Sequence, residues 1–190
     1  MRQILENFGF FGVYGFSGTF LIGFIVAFLR QKKKLMSTSI QGEYLITMLF
    51  ESIGWAIILT MTMIWFPILL MNGKDGRLLQ QIVLAIGAGI YEEFVFRVVL
   101  ISGLATILGF IFQWGEVWKK VGAILLAAVV FSGFHFIGAY GDSPTINLFF
   151  IRIVAGIVLG GIYVLRGFGV AAYTHTIYDL FVLVKYTTSI

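Results

Sequence analysis

The chain has no cysteine, few charged residues and neither of two common protease signatures, and each shortage removes a class of explanation. Without cysteine there are no disulfides and no thiolate metal sites, so any metal must rest on His, Asp or Glu. Charged residues make up only 12% of the 190 positions, about half the share of roughly 25% usual in soluble proteins. The H-E-x-x-H pattern of soluble zinc proteases is absent, and no G-x-S-x-G elbow surrounds Ser102 or Ser132. Neither repeats nor low-complexity tracts stand out. What fills the chain is apolar: 59% hydrophobic and 17% aromatic residues, with a mean hydropathy of +0.99. These values specify a membrane protein.

At about 20 residues per helical crossing, the length predicts a single integral-membrane domain, 1–190, with six or seven spans. Strand-like alternation is weak and helices satisfy their own backbone in lipid, so the expected fold is all-α, a polytopic helical bundle. Phe8 to Leu29 reads as a retained span, too long for a signal-peptide core. Tyr44 to Met71 is the second, closed by the turn-like stretch from Asn72 to Arg77. Leu78 to Trp114 is apolar for roughly 37 residues, about 55 Å of straight helix against a hydrocarbon core of roughly 30 Å. It must tilt, bend, or break near Ser102-Gly103. Later spans fall at Lys120 to Gly138, Asn147 to Leu165 and Gly169 to Lys185. The pI near 9.4 reflects orientation rather than nucleic acid, because Arg30, Lys32, Lys33 and Lys34 cluster where an apolar segment ends. That places this loop in the cytoplasm. Lys119, Lys120 and Arg166 share its side if Leu78 to Trp114 makes one net crossing.

Eight ionisable residues fall within these spans: Glu51, Glu92, Glu93, Arg97, His135, Arg152, His175 and Asp179. Each charge at the bilayer centre costs at least about 2.5 kcal/mol and normally faces the protein interior. Glu51 and Arg152 lie near span ends, where packing, snorkelling or an ion pair accounts for them. In Y-E-E-F-V-F-R, Glu93 and Arg97 share a helical face and can neutralise one another, whereas Glu92 is rotated by about 100° and is free for proton chemistry. Phe131 and His135 also stand at i, i+4, so the ring can orient the imidazole. His175 and Asp179 do the same on a third segment. Such a set fits two chemistries. A glutamate and a histidine can activate water while a second histidine and its neighbour stabilise the oxyanion of a hydrolysed peptide. Alternatively Glu92, His135, His175 and Asp179 supply ligands to a divalent metal such as zinc.

Three motifs in order, E-E-x-x-x-R at Glu92, Glu93 and Arg97, F-x-x-x-H at Phe131 and His135, and H-x-x-x-(N/D) at His175 and Asp179, resemble the CAAX prenyl protease and bacteriocin-processing (CPBP, or Abi) family of intramembrane endopeptidases. The resemblance spans residues 84–185, preceded by two further spans. It implies Glu92 and His135 as the water-activating pair, His175 and Asp179 as the oxyanion-stabilising pair, and Glu93, Arg97 and Phe131 as supports. It also implies a helical bundle enclosing a polar catalytic cavity, a membrane-associated or lipidated polypeptide as substrate, the lipid bilayer as partner, and residence in a bacterial or archaeal plasma membrane. Asparagine is usual in the prenyl proteases where Asp179 stands. An ionised aspartate only accepts hydrogen bonds, so a catalytic Asp179 acts protonated, orients His175 or holds a metal. The other class of function is a non-proteolytic bacteriocin-immunity or membrane scaffold protein. The Gly156 to Gly161 stretch presents a small-residue face suited to close helix packing.

Overall fold

The computed structural model describes Ile25, Leu29 and residues 41–64, 78–137 and 142–187. The remainder of the expected first span, the basic run from Arg30 to Lys34 and the second span beyond Ile64 lie outside the described residues. Within them the chain is all-helical: α1 is Gly42–Ile64, α2 runs from Leu78 to Phe112, α3 is Glu116–Phe134, α4 is Ile146–Arg166 and α5 is Phe168–Thr187. Four helices are long and apolar enough to cross a membrane, and Phe168–Val184 is a shorter apolar stretch. Large apolar side chains face outward, including Phe110, Val117, Trp118 and Leu165, as expected of a protein whose solvent is lipid. Trp114 and Trp118 stand beside Lys119 around the α2–α3 turn, a combination typical of a membrane–water boundary.

The long apolar segment does not break at Ser102-Gly103. Instead α2 comprises Leu78–Glu93 in α form, Phe94–Ile101 in π form and Ser102–Phe112 in α form again. Proline, the strongest helix breaker, is absent from this stretch, and the Ser102 N–H bonds back to Val99 O, so winding changes without interruption. The helix ends at Gln113 in the left-handed region, φ 52°. A single continuous α2 puts the α2–α3 turn and the C-terminus of α4 at the same end of the bundle. Glu51 of α1 lies there too, its carboxylate receiving Arg166 Nε at 2.5 Å and Nη2 at 2.6 Å, with Trp55 Nε1 at 3.3 Å. Glu51 is therefore a clamp between α1 and α4. The α4–α5 corner is a single residue, Gly167, at φ 89°, a conformation that a side chain would strain.

Two apolar clusters hold the bundle. Leu59, Met63, Ile151, Leu159, Ile162, Val170 and Ala171 join α1, α4 and α5. Ile101, Leu108, Ala123 and Ala127 join α2 and α3. Small residues allow close approach where these helices meet: a Cβ on Gly156 would lie 3.0 Å from Ala128 Cβ, and one on Gly160 would lie 3.0 Å from Ile124 Cγ2. The N-terminal half of α2 packs on α5, while its π segment and C-terminal half pack on α3. Where α2 changes neighbours, the polar side chains gather.

Close approach of α2 to α5 is tightest at Gly89, where an added Cβ would lie 2.9 Å from Thr176 N. Gly89→Ala is expected to lower stability by about 1–3 kcal/mol through backbone displacement. Gly87→Ala, which meets nothing within 4 Å, should leave it unchanged or slightly higher. Thermal unfolding of both variants in detergent checks the contrast, and equal behaviour would refute this packing.

Candidate active site

Glu93 is fully buried, and each oxygen of its carboxylate has a different partner. Oε2 lies 2.9 Å from Arg97 Nε, off the line that a hydrogen bond needs, so this contact is an ion pair held by charge. Oε1 accepts a hydrogen bond from His175 Nδ1 at 2.8 Å. That second bond joins α2 to α5 and fixes the ring of His175, whose Nε2 faces Asp179 Oδ2 at 3.7 Å. Since the ionised Glu93 accepts only, the proton on His175 Nδ1 is assigned by its partner.

Glu92 and His135 form a separate pair. Glu92 Oε2 and His135 Nε2 are 4.0 Å apart, and both side chains are partly exposed, 19% and 26%, against 0% for Glu93 and 2% for Arg97. His135 follows the last residue of α3. Its Nδ1 is 2.8 Å from Phe131 O, an acceptor, which leaves Nε2 as the unprotonated nitrogen of the neutral ring. Phe131 ties the two pairs together. Its ring stands edge-on to His135 at 4.7 Å and to His175 at 6.4 Å, and Arg97 lies 4.8 Å from its centroid. Phe96 packs against it at 5.0 Å.

All seven residues singled out by sequence therefore meet at one level of the bundle: Glu92, Glu93 and Arg97 from α2, Phe131 and His135 from α3 and its end, His175 and Asp179 from α5. The bond between Glu93 and His175 is what the sequence reading missed, because it joins residues 82 positions apart. Arg152, for which the sequence offered packing, snorkelling or an ion pair, does form an ion pair; its partner Asp142, beside the His135 turn, was not foreseen, and the Asp142 N–H donates to His135 O at 3.1 Å. The proposed four-ligand metal set is not assembled. Among the described residues no group of three or more His, Asp or Glu is placed to hold a metal ion.

Comparison with known proteins matches residues 74–181, more than half of the chain and including every site residue above, to the family model described as type II CAAX prenyl endopeptidase Rce1-like. No curated protein and no solved structure matches it significantly.

Replacing one partner of a buried ion pair strands the other charge at a cost of about 3–5 kcal/mol. Arg97→Met should therefore destabilise strongly, whereas Glu93→Gln with Arg97→Met should recover a large part of the loss. A double-mutant cycle by thermal unfolding in detergent measures the coupling. Strictly additive effects would show that the two side chains do not act as a unit.

Proposed function

Because the chain belongs to the type II CAAX prenyl endopeptidase Rce1-like family of membrane peptidases, we propose that it hydrolyses peptide bonds in membrane-associated or lipidated polypeptides with a water activated by Glu92 and His135. The observation that carries this reading is their 4.0 Å separation. It is too long for a direct hydrogen bond and short enough for one water bonded to both. Partial exposure of these two side chains, beside sealed Glu93 and Arg97, supports a polar cavity that opens where α3 ends.

In the proposed reaction His135 Nε2 accepts one hydrogen bond from the water, and Glu92 takes the proton as the water oxygen bonds to the scissile carbonyl carbon. The carbonyl oxygen becomes an oxyanion. His175 lies between Glu93 and Asp179, so both of its nitrogens face acceptors, the arrangement that suits a ring protonated on both. Such a ring donates from Nε2 to the oxyanion. When the intermediate collapses, the carbon–nitrogen bond breaks and Glu92 returns its proton to the departing amine. Asp179 then supports the charge of His175 rather than donating to the oxyanion, which accounts for an acidic residue where the prenyl proteases carry an amide. Glu93 and Arg97 keep His175 in place. This scheme routes no step through a metal.

Purified protein in detergent or liposomes should cleave a lipidated or membrane-bound peptide. Glu92→Ala and His135→Ala should each lower kcat by at least about 10²-fold, the usual weight of a positioned acid–base group, while expression and thermal unfolding stay near those of the parent. Full cleavage by either folded variant would sink the assignment and leave the non-proteolytic immunity or scaffold reading.

A further inference from the structure

His135 has an insecure seat for a residue asked to orient water. It lies beyond the last α-helical residue of α3, where the chain tightens into i to i+3 bonds: His135 N to Ser132 O at 3.2 Å, Phe136 N to Gly133 O at 3.1 Å and Ile137 N to Phe134 O at 3.3 Å. Helix ends fray, so although the ring is bonded through Nδ1 to Phe131 O at 2.8 Å and packs on Phe131, the backbone that carries it is weakly held by these turns. One residue from a neighbouring helix reaches both flanks of this turn. Arg152 of α4 donates from Nη2 to Asp142 Oδ2, and its guanidinium carbon lies 5.3 Å from the ring centroid of Phe136. Phe136 follows His135 directly, and the Asp142 N–H is the donor that holds His135 O at 3.1 Å.

We infer that Arg152 and Asp142 form a clamp that positions His135 against Glu92, an inference that rests on the water-activating role proposed for that pair. Arg152 is a positioning residue in this scheme, since it acts through the loop and not on the substrate. The chain of contacts is continuous. Helix α4 is registered on α3 by the Ser132 hydroxyl, which donates to Phe149 O at 2.7 Å, and by the fit of Gly156 on Ala128. From that fixed base Arg152 grips Asp142 through charge and Phe136 through its ring face. The ion pair is partly shielded on its Arg152 side, with 18% of the Arg152 side chain and 37% of the Asp142 side chain exposed. The 4.0 Å spacing between Glu92 and His135 has little tolerance, because a bridging water must reach both atoms at once. A shift of about 1 Å in such geometry can cost as much as 10²-fold in rate. The clamp adds a constraint on the backbone of the turn to those that Phe131 places on the ring.

The 190-residue chain contains two histidines, which makes the test direct. Histidine-selective ¹⁵N labelling in micelles gives two imidazole signal sets, assigned with His175→Gln. In Asp142→Asn and Arg152→Met the His135 nitrogens should shift or broaden while those of His175 stay in place. Cleavage should lose roughly tenfold or more in kcat with KM changed less than about twofold, and Arg152→Lys, which keeps the charge, should restore part of the loss. Unchanged His135 signals and kcat in the folded variants would overturn the inference. So would equal disturbance of both histidines with a matching loss of thermal stability, which marks a general structural role. If Arg152→Met does not fold, Asp142→Asn carries the test alone, because it changes only a part-exposed loop residue. Should the parent chain show no hydrolysis, the proposed activity fails, and the imidazole signals still decide whether the clamp holds His135.

Discussion

The structure turns on the Glu93 carboxylate, a fully buried anion that must be satisfied from two directions at once. An isolated carboxylate in this setting is prohibitively costly, so its partners are obligatory. Arg97 supplies charge from the same helix and His175 supplies a hydrogen bond from another. The first contact could form in an isolated helix. The second cannot form unless α5 lies against α2 at one particular level, and the missing side chain at Gly89 permits that approach. One charge thereby fixes helix register and the orientation of an imidazole together. Arg97 in turn lies against Phe131, so the same requirement reaches α3.

The change in winding within α2 belongs to this arrangement. Phe96 and Arg97 are adjacent in sequence, and both are buried against the Phe131 ring. A helix that presents neighbouring residues inward while changing partners from α5 to α3 must distribute its side chains differently from a regular α-helix. The π segment from Phe94 to Ile101 occupies this stretch and begins one residue after Glu93. Wide i to i+5 turns inside α-helices often accompany functional sites. Here the site lies where one long helix serves two different neighbours.

Sequence made the local pairs legible because helical spacing is local. Glu93 with Arg97, Phe131 with His135, and His175 with Asp179 all stand four residues apart, and the structure contains all three contacts. The cost of charge in lipid marked these residues for attention before any geometry was known. Illegible were the features that depend on how helices are placed. Nothing in spacing gives Glu93 a partner on α5, nor Arg152 a partner in the loop after α3. The π segment was hidden as well, since Phe-Val-Phe-Arg-Val-Val-Leu-Ile contains no glycine or proline to announce a change of winding. Its neighbourhood offered Ser102-Gly103 as the apparent break, and a Cβ added to that glycine would meet nothing within 4 Å. His175 lies early in its helix and His135 at the end of its own, so the two must be brought to one level. Helix α2 does so by packing its N-terminal half on α5 and its later part on α3, so that it meets one histidine at the end of α3 and the other in the second turn of α5.

The two histidines are consequently held in different ways, and the proposed chemistry assigns them different tasks. His175 sits within a regular helix, buried and bonded to a sealed carboxylate, which suits a group that meets negative charge always at one point. Preorganised donors of this kind work because they need no rearrangement when charge develops. His135 stands at a helix end, partly exposed, with its Nδ1 tied to Phe131 O and its carbonyl tied to Asp142. A position at a helix end gives water access to the ring, which a site within the packed helices would deny. Access and precision conflict at such a place, since the exposure that admits water also removes packing. Contacts from α4 reconcile them: Arg152 reaches Asp142 and Phe136 from outside the proposed reacting centre and leaves the Nε2 edge of His135 facing Glu92.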